Sequence, residues 1–162
     1  MGRRGDTPVR GLSAREVREE DVDVTFMVWL TSRATADLLD SALAPSGLDS
    51  DQFAVYSILD AAPSITPTEL ARWMAAPPTT VSSYVKRFES RGHVEREPNP
   101  SDRRSYGIRL TPAGRRAHRA AAKLFSPVRA RIEGGLGSQS TDVREALLAL
   151  RATLDDLRSD AG

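Results

Sequence analysis

Apolar residues recur every three or four positions along most of this chain, and alternate in one short region only. Such a spacing puts side chains on one face of a helix, whereas alternation puts them on one face of a strand. The first series is Val22, Phe26, Trp29, Leu30, Ala36, Leu39 and Leu43, with Arg33 on the same stripe. It predicts a long helix over residues 13–43. Ser13 and Glu16 have capping-box spacing, in which each side chain satisfies the other's backbone N–H. Pro45 and Gly47 close the helix. A second helix is predicted over residues 49–61. Asp49 and Gln52 repeat the box, Leu48 and Phe53 are placed as a hydrophobic staple, and Phe53, Tyr56, Ile58 and Leu59 supply the apolar side. Pro63 ends it.

A third helix begins at Thr66. Pro67 suits a first turn that needs no N–H, Glu69 completes a box, and Leu70, Ala71 and Met74 face inward. The Ala75 and Ala76 step makes a turn. The fourth helix, residues 78–91, has Val81, Val85 and Phe88 on one side and Thr79, Thr80, Ser82, Ser83, Lys86 and Arg87 on the other. Gly92 terminates it. Residues 93–97 and 105–110 are predicted strands. The loop between them is too long and too basic for a minimal hairpin turn; it resembles a wing, two strands holding arginines at a tip. A fifth helix starts at Thr111 and runs to about residue 134 on the stripe Ala117, Ala121, Leu124, Val128 and Ile132. Pro127 in its middle is expected to kink or break it, and Gly134, Gly135 and Gly137 to end it. The last helix, residues 141–157, carries Val143, Leu147, Leu150, Leu154 and Leu157. Little else in the chain is left to cover these terminal faces, and a second copy is the natural cover.

The predicted fold is mainly α with a small β-wing: a winged helix-turn-helix plus terminal dimerisation helices. Residues 1–12 form a flexible arm, 13–46 an N-terminal dimerisation helix, 47–110 the winged lobe and 111–160 the C-terminal dimerisation helices.

Composition excludes more than it selects. The chain has 162 residues, no cysteine and two histidines, His93 and His118. Disulfides and thiolate metal sites are therefore excluded, and no metal or other cofactor is expected. No apolar run reaches the roughly 18 residues of a membrane span, and the basic start lacks a signal-peptide core, so a cytoplasmic protein without membrane attachment is expected. Nucleophile–base pairs and phosphate-binding glycine loops are lacking, so an enzyme is not expected. Net charge is only +1, but its distribution is uneven. Residues 86–119 hold ten Lys+Arg against four Asp+Glu, a surplus of six, in the region of the fourth helix and wing. A basic surface of this kind suits nucleic acid. Hydroxyls and cations on the fourth helix can bond base edges or phosphates in a major groove. Arg103 and Arg104 at the wing tip can approach a narrow minor groove, with Asp102 aiming Arg104 by a charge-assisted hydrogen bond. An ordinary solvated face and surface loop would show the same residues.

Five strings carry a further resemblance: T-x-x-E-L-A from Thr66 to Ala71, P-x-T-V-S opening the fourth helix, R-F-E-S-R-G-H-V-E-R from Arg87 to Arg96, D-R-R-S from Asp102 to Ser105, and L-T-P-A-G from Leu110 to Gly114. Each alone is weak; in this order and spacing they resemble the MarR family of bacterial transcription regulators. The resemblance implies a homodimer with interlocked terminal helices that places two winged helices on a pseudo-palindromic operator in double-stranded DNA. It adds Thr66 to the DNA-binding set of Thr79, Thr80, Ser82, Ser83, Lys86, Arg87, Asp102, Arg103 and Arg104. It implies a pocket for a small aromatic or phenolic effector, for which Trp29, Arg33, Phe53 and Tyr56 are candidates, although aromatics at helical spacing equally suit a plain core. Three departures stand out. Pro77 replaces a capping side chain, a change typically worth about 1 kcal/mol; Ser83 replaces a long basic residue; Pro127 interrupts the fifth helix. Without cysteine, the thiol switch of one branch of the family is unavailable. The expected function is a sequence-specific DNA-binding regulator, in its simplest form a repressor relieved by an effector. The alternative is a winged helix that binds protein, disfavoured because a protein interface core is richer in apolar and aromatic groups than this polar face.

Overall fold

The structure, a computed structural model, describes residues 22–62, 64–98 and 105–160. The arm, the Ser13–Glu16 box and the wing-tip residues Asp102, Arg103 and Arg104 lie outside the described residues. The chain divides into two compact units, residues 1–37 and 38–162, with the boundary inside the first helix.

That helix, α1 (Val24–Leu43), does not run continuously from residue 13. Asp23 precedes it, and its carboxylate accepts the Phe26 N–H at 3.0 Å, an N-terminal cap that a short acidic side chain makes readily. Phe26 and Trp29 stack with ring centroids 5.7 Å apart. A short 3-10 turn, Ala44–Ser46, ends in Gly47 at φ 70, so Pro45 and Gly47 close the element as expected.

Helix α2 (Ser50–Ala61) is capped by Asp49, which accepts the Gln52 N–H. The expected box is only half formed. The Gln52 amide N–H donates to the Asp49 carboxylate, while its oxygen, which a full box would turn to the Asp49 N–H, accepts from Arg91 at 3.0 Å. Helix α3 (Pro67–Met74) has the full Thr66–Glu69 box. It ends at Ala75, whose φ of 48 is the positive-φ conformation that usually falls to glycine. Helix α4 (Pro78–Ser90) follows after the turn at residues 75–77, completing the helix-turn-helix.

Strands β1 (Val94–Pro98) and β2 (Tyr106–Leu110) pair antiparallel, from Val94 opposite Leu110 to Pro98 opposite Tyr106. Ile65 adds a bridge to Ile108 with two backbone bonds of 3.1 and 2.8 Å, which ties the α2–α3 connection to the wing base. One core joins these pieces. Tyr56, Leu70, Phe88, Ile108 and Leu110 are fully buried in it, together with Val55, Val81 and Val85.

Helix α5 (Pro112–Leu136) passes through Pro127 unbroken, and Gly134 and Gly135 lie inside it; Gly137 ends it. One proline removes one ladder bond, a small fraction of the ladder of a helix this long. The α5 entrance is tightly built. Thr111 caps Gly114 at 3.1 Å and donates to the Gly92 carbonyl at 2.7 Å. A Cβ on Gly114 would stand 2.0 Å from the His93 carbonyl oxygen, so only glycine fits at that position. Helix α6 (Ser140–Asp160) has no buried residue in this single chain.

Candidate nucleic-acid interface

Helix α4 is anchored on its inner side and free on its outer one. Val81, Val85 and Phe88, spaced four and three apart, are buried as predicted. Three contacts with α2 then set its rotation. Tyr84 donates its hydroxyl to Asp51 at 3.0 Å; burial first, and the Asp51 carboxylate second, push that phenol up to about 12. Phe88 meets the Tyr56 ring edge-on at 4.6 Å. Arg91, at the C-terminal end, donates to Gln52. Just beyond, the Tyr56 hydroxyl lies 2.8 Å from His93 Nδ1. Burial, and then the Arg91 charge, hold the His93 imidazole below its ordinary range. The sequence reading passed over Tyr84, Gln52, Arg91 and His93 as positioning groups. Their partners lie 33 to 39 residues away, and no local pattern reveals such pairs.

With the inner side held, the outward side is Thr79, Thr80, Ser82, Ser83, Lys86 and Arg87, all exposed. Ser83 donates to the Thr79 carbonyl at 3.0 Å, which uses its one proton. Lys86 makes no ion pair among the described residues. The first turn lacks a side-chain cap, as Pro77 predicts; the Pro77 carbonyl instead receives the Thr80 and Val81 N–H groups at 3.0 and 3.2 Å. Thr66 plays a different part. Its hydroxyl accepts the Glu69 N–H at 3.2 Å and donates to the Glu69 carboxylate at 2.7 Å, so it is the cap of α3. The Thr66 backbone N–H, which donates to the Glu69 carboxylate at 2.8 Å, and then the Thr66 hydroxyl hold that carboxyl below its ordinary range.

Two arginines of the wing are engaged in ion pairs within the fold. Arg96 is bound to Glu89 of α4 at 2.6 and 2.9 Å and lies 4.4 Å over the Tyr106 ring. Arg109 is bound by Glu95 at 2.6 Å and Glu97 at 2.5 Å across the sheet. These two arginines, both held above their ordinary values chiefly by those hydrogen bonds, brace the wing against α4 and across its own strands. Lys86 and Arg87 on the outward face of α4 make no ion pair among the described residues.

The four effector candidates are not equivalent. Trp29 and Arg33 are exposed on α1. Tyr56 is completely buried and Phe53 nearly so, at 7% exposure, so Tyr56 is a core residue that offers no surface to a ligand. A cleft of about 550 Å³ does open between α2 and α5, with Phe53, Phe125 and His118 in its wall and Arg119, Lys123 and Arg129 around it. Ser57 donates to the Phe53 carbonyl at 2.9 Å and so accepts from His118 Nε2 at 3.1 Å. His118 Nδ1 lies 3.4 Å from the Asp60 carboxylate. Among the described residues no helix is long and apolar enough to cross a membrane.

Residues 48–106 match the MarR family model. The multiple antibiotic resistance protein MarR of Salmonella typhimurium is 28% identical over 102 residues, 63% of this chain and 71% of that protein. The HTH-type transcriptional regulator TtmR of Methylorubrum extorquens is 29% identical over 143 residues, 88% of this chain and 71% of that protein. Among solved structures, the Mycobacterium tuberculosis transcriptional regulator MOSR in complex with DNA superposes with a TM-score of 0.73 at 26% identity, covering 85% of this chain and 99% of that one. A mutant MarR from Escherichia coli complexed with operator DNA gives 0.69 at 25% identity, covering 80% and 94%.

Proposed function

We propose that the chain is a MarR-family winged helix-turn-helix transcriptional regulator that represses transcription by binding a pseudo-palindromic operator as a homodimer in the cytoplasm. The observation that carries the DNA-binding reading is the α4 face: hydroxyls and unpaired cations outward, on a helix whose rotation α2 holds. That face suits a major groove, with Thr79, Thr80 and Ser82 reaching base edges or phosphates and Lys86 and Arg87 meeting phosphate. The wing arginines Arg103 and Arg104 are assigned to the neighbouring minor groove. Two relatives of the same fold were solved with DNA. The exposed leucines of α6 supply the surface for a second copy, which would set two α4 helices one DNA turn apart, about 34–36 Å. The effector site of this reading moves from the Tyr56 neighbourhood to the cleft between α2 and α5, whose aromatic wall and basic rim suit an aromatic anion. Ligand bound there acts only as far as it prefers one lobe arrangement over the other.

The test is binding to the duplex upstream of the chain's own coding sequence, titrated against salt with random duplex as competitor. Competitor-resistant, salt-sensitive binding is expected, and Arg104→Ala is expected to weaken it by about tenfold or more without unfolding the chain. Binding that random duplex removes equally well would replace operator recognition by non-specific binding. No binding at low salt would favour the protein-binding alternative.

A further inference from the structure

Helix α3 ends in an unusual way. Its last turn closes through Ala75, whose N–H bonds the Ala71 and Arg72 carbonyls, and through Ala76, whose N–H bonds the Ala71 carbonyl at 3.0 Å. The next carbonyl, that of Trp73, would look to residue 77 for a donor in helical register. Residue 77 is proline, as is residue 78, and proline has no N–H to give. The Trp73 carbonyl therefore has no backbone donor of its own.

Arg151 supplies one from α6. Its Nη2 donates to the Trp73 carbonyl at 2.8 Å, and its guanidinium lies 5.0 Å from the centre of the Trp73 ring. A cation at this point also meets the negative end of the α3 dipole. Trp73 is 57% exposed, so the core does not hold it. Behind Arg151, Asp155 faces the guanidinium at 3.9 Å and Arg158 at 3.7 Å. Among the described residues, Arg151 is the one α6 side chain hydrogen-bonded outside its own helix.

The location gives the contact its meaning. Immediately past Trp73 the chain makes the turn at residues 75–77 and enters α4. Leu147 and Leu154, four residues before and three after Arg151, flank it on the same side of α6, and Leu157 follows on that stripe; all three are exposed in this chain. One side chain thus spans from the helix with the open apolar stripe to the end of the helix that leads into α4. We infer that Arg151 is a positioning residue for DNA recognition, transmitting the placement of α6 to the C-terminal end of α3 and so to the start of α4. This rests on the DNA-binding reading above. Lysine at the same position would keep the donor and the charge but lose the planar stack on the indole.

The experiment has two arms on the full chain. In the first, duplexes enriched from a random-sequence library by the unaltered chain serve as the probe for Arg151→Ala and Arg151→Lys, with sedimentation on the same samples. In the second, Trp29→Phe leaves Trp73 as the only tryptophan of the two in the sequence, and acrylamide quenching of its fluorescence is compared with and without Arg151→Ala. The inference expects Arg151→Ala to raise the quenching constant and to lower affinity for the enriched duplex about tenfold with an unchanged assembly state. It expects Arg151→Lys to recover part of the affinity and none of the shielding. Wild-type affinity in Arg151→Ala overturns the positioning role. So does a loss of affinity that accompanies dissociation or unfolding, or that lysine does not relieve at all. If the unaltered chain enriches no duplex, the DNA-binding reading has failed and this one falls with it; if it does and Arg151→Ala binds equally well, only the role of Arg151 fails.

Discussion

Helices α4 and α6 are built on the same plan, an apolar stripe at spacings of three and four with polar residues opposite. On α4 the stripe is covered: Val81, Val85 and Phe88 are 1%, 2% and 0% exposed. On α6 it is open: Leu147, Leu154 and Leu157 are 53%, 45% and 60% exposed. The difference lies in what each helix can reach. Helix α4 follows α3 by a three-residue turn and sits over α2 and the wing, so three elements close on it. Helix α6 folds back after α5 and meets the lobe at Arg151. Amphipathic patterning marks a face for burial, and the connections decide whether the chain contains its cover. A buried leucine is worth about 1.5–3 kcal/mol, so the open stripe of α6 leaves several such contributions unmade in the single chain.

The comparison can be broken at its strongest point first. Phe88→Ala removes the ring at the centre of the covered stripe, between Tyr56 and Tyr84. It is expected to cost about 3–5 kcal/mol in urea unfolding, the range for deleting a buried aromatic. A much smaller loss would mean that the lobe is held elsewhere. The paired change Leu147→Glu with Leu154→Glu attacks the open stripe. Sedimentation is expected to show a monomer whose lobe still melts cooperatively, with operator binding reduced by on the order of a hundredfold, since half of each two-site contact is lost. A folded dimer would place the association surface elsewhere.

Two smaller effects sharpen the picture on the α4 side. Lys86→Ala is expected to reduce the slope of log affinity against log salt by about one, as one phosphate contact is removed; an unaltered slope would make Lys86 a solvent-facing charge. The His93 contact is expected to make stability sensitive to acid. Its folded-state value is depressed below 6.5, so between those limits the unfolded chain binds a proton that the folded chain does not. The contribution is present in full above the unfolded value and is lost as pH falls through the folded one. Urea midpoints are therefore expected to drop from about pH 7.5 to about pH 5.5, and His93→Gln, which still accepts from Tyr56, to flatten that drop. Equal slopes in both chains would assign the acid sensitivity to other groups.

Much of the winged lobe was legible residue by residue. The Thr66–Glu69 box, the Ala75 turn, the inward Val81, Val85 and Phe88 and the outward hydroxyls and cations all follow from spacings of a few residues, and the structure has each of them. The readings that changed each met something distant. The Asp49–Gln52 box lost its return bond because Arg91 takes the Gln52 oxygen. Tyr56 left the candidate effector set because Phe88 and His93 enclose it. Arg96 and Arg109 dropped out of the free positive charge because Glu89, Glu95 and Glu97 neutralise them. Locally, Asp23 caps the described start of α1, and α5 continues through Pro127 without the break that was one of the two expectations there.

By itself, then, the sequence determined where the helices and strands lie and which side of α4 faces outward, because caps, turns and apolar periods act between residues a turn or two apart. Only the tertiary structure decided which polar groups on those elements remain available. A hydrogen bond or ion pair spends a side chain's donors and charge on whatever the fold brings near. For Tyr84, Arg91 and Arg151 that partner is 33, 39 and 78 residues away, beyond the reach of any local pattern.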